Sequence, residues 1–178
     1  MNANSPGQAY GAETDFGPQI TFDPISTDKD ELFRAILVFD ISQLSPGTVQ
    51  SATLEMECTS FIAATPANVA RSGRASTWAE ITVTWNSYAG VLPWSVAGGE
   101  RDQTTPPSVS FTTPVATGPF TFPDLSAHAQ DAIDNRAGFM SIILSLDDES
   151  SQPDRGCQFA AVFLPGGDPA ELVVVMAS

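Results

Sequence analysis

Proline and glycine interrupt this chain about every ten residues, 14 of one and 13 of the other in 178. That spacing leaves room for many short strands and almost none for long helices. Side-chain periodicity agrees. In "SATLEMECT" the apolar residues Ala52, Leu54, Met56 and Cys58 alternate with Thr53, Glu55 and Glu57, the pattern of a strand with one wet face. Residues 32–41, "LFRAILVFDI", are apolar nearly throughout and broken only by Arg34 and Asp40, which reads as a central strand packed on both faces. Between these two lies "LSPGTV", whose Pro46-Gly47 suits a type II turn, so the two strands are expected to pair antiparallel.

Further strands are expected at residues 19–23, 68–72, 81–85, 108–113, 139–146, 157–164 and 170–177. One segment has a different period. In "FPDLSAHAQDAIDNRAG", Asp124 or Ser126 can cap a helix, and Leu125, Ala129, Ala132 and Ile133 recur near helical spacing. Gly138 can then stop it, giving one short helix near residues 126–134. The expected fold is all-β: an antiparallel β-sandwich of jelly-roll type with about eight or nine strands. No helices separate the strands, which excludes parallel βαβ units. Residues 1–17 read as an N-terminal arm and 18–178 as a single domain.

Charge narrows the partners. There are 21 acidic residues against 7 basic ones, and Lys29 is the only lysine. Such a field repels phosphate backbones and anionic membranes, so no nucleic-acid partner and no membrane insertion are expected. No run of apolar residues is long enough to span a bilayer, and the N-terminus has neither the basic nor the apolar region of a secretory signal. Either a signal has been removed, or the protein is made and kept in a cytoplasm until something releases it. Cys58 and Cys157 both fall in strand-like runs and are expected as buried thiols, not a disulfide.

A set of motifs then comes together: "AYGAET", "FRAILVFDISQLSPGTVQSATLEME", "NVARS", "WAEITVTWN", "WSVAGGERD", "FPDLSAHAQDAIDNRAGFMSIIL" and "PAELVVVM". In this order they resemble the DNRLRE family of β-sandwich modules, related to carbohydrate-binding modules of alginate-active enzymes. The likeness runs from about Gln8 to the C-terminus. It implies a non-catalytic jelly-roll found on polysaccharide-degrading enzymes, cell-surface proteins and phage structural proteins. Such modules usually belong to larger polypeptides, and the usual first strand is short or missing here.

All three tryptophans lie in one stretch, with Tyr88 among them. Trp85 is in phase with Ile81 and Val83 and is expected in the core. Trp78 and Trp94 sit among Thr, Ser, Gly and Pro, where an indole either pins a loop or stacks on a sugar; pinning is the commoner outcome. Arg71, Arg74 and Arg101 flank them. Converging beside Trp78 they would form a site for uronate carboxylates. Paired with Glu80, Glu100 and Asp102 they would only fasten loops, which is the commoner arrangement. The candidate glycan site is therefore Trp78, Trp94, Tyr88, Arg71, Arg74 and Arg101.

The supply of catalytic groups is thin. His128, the only histidine, stands among alanines in the predicted helix, and no nucleophile, metalloprotease or phosphate-loop motif is present. No enzyme is expected. Two acidic loops could hold a structural Ca2+, through Asp23, Asp28 and Asp30 or through Asp147 and Asp148, although solvated acidic loops are the default. The expected function is a structural and adhesive protein of a phage virion surface, on the head, tail or fibre, assembled in the host cytoplasm. Its partners would be other virion proteins and further copies of itself, with host glycans as an added ligand. The alternative is an extracellular polysaccharide-binding module accessory to a carbohydrate-active enzyme.

Overall fold

The computed structural model describes residues 15–16, 19–21, 31–44, 46–74, 86–89, 92–149, 154–160 and 170–178. They form an antiparallel β-sandwich with one helix, as the periodicity predicts. The larger sheet is built on β5 (Val49–Ala63), the longest strand. Along one side of it lie β13 (Arg155–Ala160) and then β14 (Glu171–Met176), in series, and along the other β11 (Gly118–Thr121). Beyond β13 come β1 (Asp15–Phe16), β2 (Gln19–Thr21) and β3 (Glu31–Phe33). The smaller sheet has the order β10 (Val109–Thr112), β6 (Pro66–Ser72), β12 (Phe139–Leu146), β4 (Ala35–Asp40), with β9 (Arg101–Asp102) also paired to β6. A separate hairpin joins β7 (Ser87–Ala89) to β8 (Leu92–Pro93).

Chain order alternates between the sheets, from β4 to β5 to β6 and again from β10 to β11 to β12 to β13, which is how a jelly-roll buries two faces at once. This corrects the expected β4–β5 hairpin. The chain from Ile41 to Thr48 does not fold the two strands side by side; it carries them into opposite sheets, so that Ala52 and Leu54 face Ala35 and Leu37 across the core. β4 is also an edge strand among the described residues, not a central one. Its near-continuous apolar run arises because Ala35 and Leu37 face the core while Ile36 and Val38 on the other face are half covered.

Four phenylalanine rings and aliphatic rows from both sheets fill the interior. Phe122 packs edge-on against Phe111 and Phe120 at 5.0 and 4.9 Å between centroids, and lies 5.4 Å from Phe159. Phe159 is wholly buried, and a side chain of that kind contributes about 2–3 kcal/mol over an exposed one. Cys58 and Cys157 lie in this core as free thiols, as expected. Burial pushes both above the usual thiol range.

The helix α1 (Ser126–Asn135) closes one end of the sandwich, packing on β5 and β12. It lies one residue from the sequence-based boundary. Asp124 does not cap it in the usual way. Its carboxylate accepts the N–H of Ala52 at 3.0 Å as well as that of Ser126 at 3.2 Å, so it ties the start of the helix to β5. Gln130 does the same one turn on, accepting the Val49 N–H at 2.7 Å. Gly138 ends the helix at φ 83°, donating its N–H to the Ala132 carbonyl at 2.8 Å.

Candidate functional site

In β12, Met140, Ile142, Leu144 and Leu146 belong to the core, while the alternate residues Ser141, Ile143 and Ser145 face outward. These three are nevertheless buried, as are Ala70 and Ser72 on neighbouring β6. A sheet face can be dry only under a roof. Over this face lies the loop from Trp94 to Arg101, and three arginines hold it down.

Arg34 precedes β4 and points to this outer face. Its guanidinium takes Glu149 in a two-pronged grip, 2.7 and 2.5 Å, and donates to the carbonyl of Gly98 at 3.0 Å. Arg101 donates to the Ser145 hydroxyl at 2.9 Å and stands 3.6 Å from Glu149. Burial, with Arg34 close by, makes its proton less firmly held than an ordinary arginine's. Arg74 grips Glu100 at 3.0–3.1 Å, and the same carboxylate accepts the Ser95 N–H at 2.8 Å. Burial pushes Glu100 up, but these bonds outweigh it and keep its carboxyl below the usual range. Between the roof and the sheet edge runs an open groove of about 560 Å³, lined in part by Arg34, Val96, Glu100, Arg101 and Asp102.

Arg71 faces the other way. At the end of β6 its side chain reaches Asp131 of α1 at 3.0 and 3.1 Å and also pairs with Asp102 of β9. Asn135 adds a bond to Asp131 at 3.0 Å. Asp102 is further held by the N–H and hydroxyl of Thr104, 2.9 and 2.8 Å, which keep its carboxyl well below the usual range.

The candidate residues therefore divide. Arg74 and Arg101 lie by the groove, whereas Arg71 is turned toward the helix. Arg71 and Arg74 take Asp102 and Glu100, the loop-fastening arrangement the sequence favours. Trp94 is 5% exposed, so it pins the loop and presents no ring face to a sugar. Trp78 and Trp85 lie outside the described residues, and Tyr88 sits in β7. Of the proposed calcium ligands, Asp23, Asp28 and Asp30 lie outside the described residues. Asp147 is taken by the Asn68 amide, and Asp148 stands 3.6 Å from Arg155. Among the described residues no three His, Cys, Asp or Glu side chains gather as a metal site.

Arg34, Glu149, Ser145 and Asp131 were not singled out in the sequence. A signal existed for the first, since an arginine inside an apolar strand needs a buried partner. Nothing in the sequence marks which of the many acids that partner is.

No family model matches the chain, and no curated protein matches it. What is shown is an all-β sandwich with one roofed face and one helix-closed end.

Proposed function

We propose that this chain is a non-catalytic structural and adhesive subunit of a phage virion surface, assembled from copies of itself. The observation that carries the reading is the edge of the larger sheet at β14. Among the described residues β14 pairs only with β5, and none of them takes up the backbone groups of its other edge. From Leu172 to Met176 it carries no charge, and Val173 and Val175 are 45% and 44% exposed. Edge strands are usually guarded by lysine, proline or short length; this one has no such guard. In a chain of net charge −14, a neutral strip is the place where a second copy meets least repulsion. The ion-paired arginines and buried thiols support a structural role for these side chains.

The resemblance to DNRLRE modules supports the alternative, a polysaccharide-binding module, and the groove beside Arg101 is in keeping with it. Among the described residues Arg101 makes one hydrogen bond, from Nη1 to Ser145, and a looser pair with Glu149 at 3.6 Å, so its guanidinium beside the groove has donors left for a carboxylate of an acidic sugar.

Light scattering on the purified chain, followed by a glycan-array screen of the same sample, separates the two. The virion reading expects a stable oligomer that falls to monomer in the Val173→Lys/Val175→Lys variant. A monomer that retains an acidic polysaccharide and loses it on Arg101→Ala or Trp78→Ala would overturn it in favour of the binding module.

A further inference from the structure

His128, the third residue of α1, is 3% exposed, and among the described residues neither ring nitrogen has a hydrogen-bond partner. Burying a polar ring with both nitrogens unmet costs about 1–3 kcal/mol, so a packing residue would serve better if packing were the whole role. Burial is the main reason a proton is disfavoured at His128; of the nearby charges Asp131 favours it and Arg71 opposes it. From its own helix it faces Asp131, already committed to Arg71 and Asn135. From β6 it faces Arg71, with Asp102 of β9 behind it, and Arg136 joins the same cluster from the turn after the helix. The strands beneath offer no relief: β12 has no titratable residue, and the β5 residues bonded to the helix segment, Val49 to Ala52, are uncharged.

We propose that His128 makes α1 an acid-released latch: protonation of its imidazole opens the helix from the end of the sandwich while both sheets stay folded. An imidazolium in this pocket would be cut off from water, a cost that the nearby Asp131 carboxylate, shared with Arg71 and Asn135, only partly offsets. The closed pocket holds the ring neutral, mainly through burial, down to about pH 4, against 6.5 when it is exposed. The group is a base whose closed-state value lies below its open-state value. The latch is therefore at full strength above pH 6.5, weakens as pH falls, and has lost the whole contribution by about pH 4. Between pH 7.5 and pH 5 the opening equilibrium rises roughly thirtyfold from this one group. Most carboxylates remain ionised across that interval. Opening would free the Ala52 and Val49 N–H groups now held by Asp124 and Gln130, and uncover Leu125, Ala129 and Ala132. The result is an apolar end and a bare length of β5, available to a surface met only in acid.

Hydrogen exchange on the intact chain tests this, with rates corrected for intrinsic pH dependence. Amides of residues 126–135, with those of Val49 and Ala52, should lose about thirtyfold protection between pH 7.5 and pH 5, while the other amides of β5 and those of β6 and β12 keep theirs. In the His128→Phe variant the helix should hold its protection across the range. As a check that needs no variant, the only imidazole in the chain can be titrated by NMR in the wild type and should not titrate at 6.5 while the helix is closed. Helix protection independent of pH would overturn the proposal. So would an equal loss in His128→Phe, loss of sheet and helix together, or a ring titrating at 6.5 with the helix intact.

Discussion

Two glycines show how much the surroundings of a single residue decide. Gly138 and Gly118 both have positive φ, 83° and 127°. A Cβ on Gly138 would lie 2.2 Å from the Cα of Ser42, whereas one on Gly118 would meet nothing within 4 Å. Gly138→Ala should therefore destabilise the fold by about 3 kcal/mol, because strain and a backbone collision add. Gly118→Ala should cost only the strain, about 1–2 kcal/mol. Urea denaturation of both variants checks the difference. Arg34 makes a similar contrast with Asp148. Arg34 is 8% exposed in its side chain and holds Glu149 at 15%, so Arg34→Met leaves a half-buried carboxylate and two carbonyls short of a donor. A loss of about 3 kcal/mol is expected, against about 0.5 kcal/mol or less for Asp148→Ala, whose carboxylate is 66% exposed.

Among the elements, β14 and α1 close different borders of the same long strand, β5. β14 lies along one side of it and α1 straps the other at the same end. Replacing Val173 and Val175 with lysine should leave the unfolding midpoint nearly unchanged, since both already face solvent, while abolishing self-association. Parallel measurements of thermal unfolding and solution mass would reveal that split. Element identities were legible from the sequence wherever alternation or helical spacing ran unbroken, as in "SATLEMECT", "FMSIILSL" and the helix. Pairing was not. "LSPGTV" has the composition of a hairpin turn, yet the core is better filled when Ile41 to Thr48 carries the chain to the opposite sheet. A one-strand reading cannot weigh that, because the gain lies in contacts between residues far apart in the chain. The candidate site was legible to the same degree. Glu100 and Asp102 flank Arg101 and stand out in the sequence as acids that could fasten the three arginines, whereas the Arg34–Glu149 pair spans 115 residues and leaves no local trace.

For the molecule as a whole, the excess of acid works against association at every contact except a neutral one. Copies of net charge −14 repel over a Debye length that shrinks from about 30 Å at 0.01 M salt to about 3 Å at 1 M. If β14 edges join, raising salt from 0.02 M to 0.5 M should tighten the assembly, the reverse of what an interface of opposite charges would do. Sedimentation at the two salt concentrations reads the sign directly. One interior feature also bears on the whole. Cys58 and Cys157 sit on adjoining strands of the larger sheet, both about 1% exposed, and the surroundings hold both in the thiol form. A reagent that needs a thiolate finds none while β5 and β13 remain joined. The two sulfurs thus act as a stopwatch inside the protein, silent through any movement at the helix end and started only when the central seam of the sheet comes apart.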